Sequence, residues 1–188
     1  MSKGIRIVVV CEDQEQQGLL RRYMETCGID ISRDVDFKPI PSRLVGVPSK
    51  DSGTKRVREE FVKELRACRA VQARRKVLLV TMIDADKPEW NLESRRKQLE
   101  TALDDERPLT PNDPYVRFVP KRNVETWIRA ARGYVVNEKE DYKKTQPSKA
   151  DIRTAARQIH GWARNRPDPG PTCVDSLRQS PADWRRIG

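Results

Sequence analysis

A single histidine, His160, in a chain of 188 residues excludes any site assembled from two or more imidazoles. The four cysteines, Cys11, Cys27, Cys68 and Cys173, are scattered with no Cys-x-x-Cys spacing. That argues against a zinc site or a disulfide framework and for small core residues in a reducing compartment. No apolar run is long enough to span a bilayer, and the amino terminus opens on a strand-like run instead of a signal sequence. Nor is there a long basic amphipathic helix with an aromatic apolar face. The expectation is a soluble cytoplasmic protein with no membrane partner. A nucleotide-binding phosphate loop is missing as well: segment 46–56, GVPSKDSGTKR, has the composition of one but not the Gly-x-x-x-x-Gly-Lys-Ser/Thr spacing.

What the chain has in excess is positive charge. Thirty-eight Lys and Arg against 28 Asp and Glu give a formal net charge of +10, which makes DNA or RNA the leading partner, since each neutralised phosphate releases counterions. The apolar fraction of 36% and charged fraction of 35% leave much of the chain for surface or irregular segments. The length suits one α/β domain, placed at 1–147, with a helical carboxyl-terminal extension at 148–188 packed on it.

Two apolar runs read as strands buried on both faces of a parallel sheet: IRIVVVC at 5–11 and VLLVTM at 77–82. Each ends in acid. Glu12 follows the first, and Asp84 and Asp86 follow the second, at the strand ends where open α/β sheets place ligands. Residues i and i+2 of an extended segment point the same way, so Asp84 and Asp86 are placed to share one cation. An Asp-x-Asp after a strand also serves as a turn or helix cap, and that reading stands beside the metal one.

Between the runs, Leu19, Leu20, Tyr23, Met24 and Cys27 share one face of a helix stopped by Gly28. A short strand is expected within 35–40. Gly53 and Thr54 open a helix flanked by Lys50, Lys55 and Arg56, which reads either as a phosphate contact or as a solvated basic loop. Its stripe of Val57, Phe61, Leu65, Cys68 and Val71 belongs to the core. Beyond 82 come a helix near 92–103, closed by the acidic run 104–106, a strand at 115–119 and a helix capped by Asn123 with Glu125 in its first turn. Glu125 there also suits the helix dipole alone. A further short strand is expected at 133–136 and a polar loop after it. An amphipathic helix at 149–164 carries His160 beside its stripe, and a short helical end packs back through Val174, Leu177 and Trp184.

The strand ending VVVCE with Glu12, the IDAD motif with Asp84 and Asp86, and the VPKRNVETW segment together resemble the Toprim domain of topoisomerases and primases. The nearest likeness is to small stand-alone and OLD-nuclease-like Toprim proteins of bacteria, over about 5–144. The resemblance implies a three-layer, Rossmann-like, mostly parallel sheet with helices on both faces. It implies magnesium or manganese on Glu12, Asp84 and Asp86, with Glu125 and a late lysine, Lys143 or else Lys144, completing a catalytic set. Where the nuclease branch has a second carboxylate one turn after the first glutamate, this chain has Gln16, which puts a second metal in doubt. The implied activity is hydrolysis of DNA or RNA phosphodiesters, beside a separate ATPase of the OLD or ABC type in defence against phage. Lys121 and Arg122 join Lys50, Lys55 and Arg56 as candidate nucleic-acid contacts, and a homo-oligomer is left open. The rival readings are a catalytically weak module that binds nucleic acid or a partner, and a phosphorelay receiver. The receiver is disfavoured because its paired acids follow the first strand, whereas here the close pair comes late.

Overall fold

The computed structural model describes residues 4–40, 52–85, 92–103, 107–165, 169–170 and 172–188. Asp86, Lys50 and the acidic run 104–106 lie outside the described residues. Four parallel strands, β1 (Arg6–Cys11), β2 (Val35–Phe37), β3 (Val77–Met82) and β4 (Tyr115–Phe118), form one sheet in the order β2-β1-β3-β4. The strand expected at 133–136 does not form. Gly133 takes a left-handed turn at φ 86°, Val135 is 89% exposed, and only Val136 packs against the core, so no described strand pairs with the segment.

Alternation along the two central strands divides the core. Ile7, Val9 and Cys11 of β1 face one layer with Leu78, Val80 and Met82 of β3, while Val8, Val10, Val77 and Leu79 face the other. Both layers are apolar because helices cover both faces, which is why the strands read as continuous hydrophobic runs. The first layer is closed by α1 (Gln14–Thr26), α5 (Val124–Ala131), α6 (Lys149–Asn165) and, last in the chain, α8 (Pro181–Ile187). The second is closed by α3 (Ser52–Val71), with Val57, Phe61, Leu65 and Cys68 buried as their spacing requires, and by α4 (Leu92–Thr101). The short helices α2 (Ile31–Asp34) and α7 (Asp175–Arg178) complete the set. This is a three-layer α/β fold with a helical carboxyl terminus. Among the described residues, no helix is long and apolar enough to cross a membrane.

The segment leading into β4 is tied to α3 by one carboxylate. Asp113 is buried; it accepts from Arg69 at both oxygens (2.8 and 2.9 Å), from Arg107 (2.7 Å) and from the Thr110 amide (2.7 Å). The hydrogen bonds from Arg69, with those from Thr110, hold its carboxyl well below the usual carboxylate range. A carboxyl lowered on folding adds stability that is complete above its unfolded value, near pH 4, and is lost as pH falls below it. Asp113→Asn is therefore expected to cost about 3 kcal/mol at pH 7, the scale of breaking a buried ion pair, and progressively less toward pH 2. Thermal melts of both proteins across that range check the convergence.

Candidate acidic site at the carboxyl end of the sheet

The chain leaves β1 through α1 toward β2 on one side, whereas β3 lies on β1's other side, so the strand order reverses between β1 and β3. Such a switch point opens a crevice at the carboxyl ends of the strands. Glu12 and Asp84 stand on its two banks, one residue past Cys11 and two past Met82, the last register pair of the two strands.

Backbone geometry explains how Asp84 is held. The amides of its neighbours Ile83 and Ala85 donate toward β4, to Phe118 (3.1 Å) and Pro120 (2.9 Å). The Asp84 amide thus points toward β1, where the Glu12 Oε2 atom accepts it at 2.8 Å. Glu12 Oε1 accepts from the Thr54 hydroxyl at 2.6 Å, and Gly53 lies beside the glutamate stem. Asp13 caps α1 by accepting from the Gln16 amide at 2.9 Å, which turns the Gln16 side chain into the crevice. Gln16 is fully buried. Its Oε1 accepts from the Glu12 amide (3.0 Å), so its Nε2 faces Asp84 and donates to Oδ1 at 2.9 Å. Arg95, buried on α4, donates to the Asp84 carbonyl at 2.8 Å and to Gln98.

Beyond β4, Glu125 stands in the first turn of α5, 5% exposed. The side chain of Asn123 caps that helix through Thr126, and its Nδ2 donates to Asp141 at 2.9 Å. Asp141 also accepts from the Lys143 amide at 2.9 Å. This link sets a 3-10 turn, Lys143–Thr145, from which Lys143 Nζ comes to 3.6 Å from Asp84 Oδ2.

The electrostatics follow from burial. Asp84 is 0% exposed, and its carboxyl is raised well above the usual range by desolvation first, then by the charges of Glu12 and Asp13; Lys143 opposes the rise. Burial pushes Glu125 up to about 7, with Asp13 adding to the rise and Lys143 again opposing it. Asp84 Oδ2 and Glu125 Oε2 are buried without a hydrogen-bond partner. Two oxygens of that kind beside surplus negative charge suit a hard cation in their chemistry. Among the described residues, however, no group of three or more His, Cys, Asp and Glu is gathered closely enough to hold a metal. The residues fit one cation in kind, with Asp84 Oδ2 and Glu125 Oε2 as the open donors and the Glu12 oxygens already engaged by Thr54 and the Asp84 amide.

Of the residues singled out from the sequence, Glu12, Asp84, Glu125 and Lys143 are brought together at this crevice. The basic ones divide. Arg56 donates to the carbonyls of Pro39 (3.1 Å) and Cys11, so its guanidinium props the end of β1. Lys55 is exposed on α3 and lies 3.8 Å from Glu59. Lys121 is partly buried, with its amide donating to Ser176 (3.3 Å). Arg122 has a left-handed backbone, φ 76°, and approaches Asp141 at 3.7 Å. The roles of Thr54, Arg95 and Asp13 were not foreseen. Only Arg95 left a signal, four residues before buried Leu99 and hence on the inner face of α4. Compared with protein-family models, with curated proteins and with solved structures, the chain matches none.

Proposed function

We infer that this chain is a divalent-metal-dependent phosphodiesterase acting on DNA or RNA. The observation that carries the reading is the pair of buried carboxyl oxygens, Asp84 Oδ2 and Glu125 Oε2, with no hydrogen-bond partner at the switch point of a parallel sheet. Magnesium or manganese there would polarise a phosphodiester oxygen and acidify a bound water. The chain's own groups supply the rest. Lys143 balances charge beside Asp84. Gln16 keeps Asp84 turned so that only Oδ2 faces a ligand. The net charge of +10 favours a polyanionic substrate. A separate ATPase partner and a role in defence against phage follow from the Toprim resemblance and belong to the same proposal.

One observation favours a second reading, a module that binds nucleic acid without cutting it. Gln16 occupies the space between Glu12 and Asp84 with a neutral amide, and no described trio of metal-holding side chains forms there. Incubating the pure protein with plasmid, single-stranded DNA and tRNA, with magnesium or manganese, separates the two. Cleavage that disappears in an Asp84→Ala variant supports the enzyme. Binding without cleavage, equal in wild type and variant, supports the module.

A further inference from the structure

A cavity among the described residues lies at the opposite end of the sheet from the carboxylates. It measures about 700 Å³ and opens where β1 and β2 begin and α3 ends. Five residue steps along β1, about 17 Å, separate Arg6 at this cavity from Cys11 beside the acidic crevice, so the two sites are distinct.

Four guanidinium groups line the cavity: Arg6, Arg33, Arg74 and Arg75. Two of them pair with the acids that line it among the described residues. Arg33 grips Asp34 through two hydrogen bonds of 2.8 and 2.7 Å, and Arg6 reaches Asp36 at 3.3 Å, where Lys38 also arrives at 3.1 Å. Arg74 and Arg75 are different. Their amides both donate to the Val71 carbonyl, which fixes the turn closing α3 and sets both side chains at the rim. Neither side chain has an acidic partner among the described residues. Among the described residues the cavity therefore carries two positive charges with no acidic counterpart, on side chains whose planar fork matches phosphate oxygens.

The remaining wall is apolar, from Ile5, Val35 and Val71. A bare phosphate would leave most of 700 Å³ empty, whereas a body of nucleotide size fills a cavity in this range and covers the apolar wall. We propose that this cavity binds a phosphate-bearing small molecule of nucleotide size, with its phosphates on Arg74 and Arg75 and its apolar body against Ile5, Val35 and Val71. The proposal is independent of the chemistry at Asp84.

The test is a fluorescence titration of the full chain with mant-ATP in EDTA, so that no divalent ion bridges the probe to the acidic crevice. Saturable binding is expected, displaced by ATP and by inorganic triphosphate but not by adenosine. An Arg74→Ala, Arg75→Ala variant is expected to weaken it at least tenfold with an unchanged melting temperature. The Lys, Lys variant retains charge but loses the fork, and is expected to fall between. Asp84→Asn is expected to bind the probe as wild type does. Absence of saturable binding overturns the proposal, as does equal affinity in the Ala, Ala variant. Displacement by a single-stranded oligonucleotide but not by ATP also overturns it, and assigns the arginines to a nucleic-acid backbone instead.

Discussion

Asp84→Asn is expected to abolish cleavage and, in the absence of metal, to make the protein more stable. The two effects have one cause. The Asp84 carboxylate is fully buried, pressed by the charges of Glu12 and Asp13, and its Oδ2 has no hydrogen bond. Asparagine keeps the volume and still offers a carbonyl to the Gln16 amide, but it brings no charge to bury. If Asp84 is the anionic anchor of a cation and its substrate, the rate should fall on the order of 10³-fold, the scale for removing one preorganised electrostatic group.

The stability effect has a definite sign with pH. A carboxyl raised on folding binds its proton more tightly in the native state than in the unfolded chain. The wild type therefore loses stability as pH rises above about 4, and Asp84→Asn escapes that loss. Melting temperatures in EDTA should agree near pH 4 and separate toward pH 8, with the variant higher. Magnesium should stabilise the wild type at pH 8, by about 2.7 kcal/mol at a hundred times its dissociation constant, and leave the variant unmoved. Cleavage retained in the variant would remove Asp84 from the chemistry. Equal melting temperatures at pH 8 would show that its charge is relieved in some way other than by a cation.

Trp184→Ala is expected to produce the largest loss of stability from a single side chain. Trp184 lies on the final helix, 1% exposed; its ring stacks on Phe118 of β4 at 4.1 Å between centroids and tilts against Tyr23 of α1 at 4.4 Å. Its indole nitrogen donates to Ser180 at 2.9 Å, while Tyr23 donates its hydroxyl to the Trp184 carbonyl. Truncation opens a cavity among three elements distant in sequence and removes the donor from the Ser180 hydroxyl, which keeps only its own bond to the Leu177 carbonyl. Losses for such aromatic deletions run about 3–5 kcal/mol. Trp184→Phe retains the stacking partner and should lose roughly half as much, within the usual range for core aromatic changes. Urea unfolding midpoints for the three proteins decide it. A loss below about 1 kcal/mol for alanine would mean that α8 only rests on the core.

The strands were legible because burial on both faces leaves no polar alternation to misread. Ile7 to Cys11 and Val77 to Met82 are apolar, save Thr81, because each strand has a neighbour on both edges and helices above and below. The helices of the carboxyl segment were legible for another reason, the spacing of Ala155, Ala156 and Ile159. The segment at 133–136 misled because Tyr134, Val135 and Val136 have strand composition without a partner edge, and composition does not say which edges are free. The acids of the site were visible as strand-end residues. Their mutual arrangement was not, since the Gln16 to Asp84 bond joins positions 68 apart and the Glu12 to Thr54 bond positions 42 apart. Gln16 looked like a missing ligand from its position in the chain. In the fold it bridges the Glu12 backbone amide to the Asp84 carboxylate.

The bond from the Asp84 amide to Glu12 Oε2 carries one more consequence. Backbone pairing of β1 with β3 stops at Cys11 and Met82, and the next rung between them is completed by a side chain. The end of the sheet is therefore a latch whose tongue is a titratable, ligand-competent group. Whatever draws the Glu12 carboxylate away leaves the Asp84 amide without that acceptor, so a ligand that recruits Glu12 loosens the last rung of the sheet as it fills the crevice.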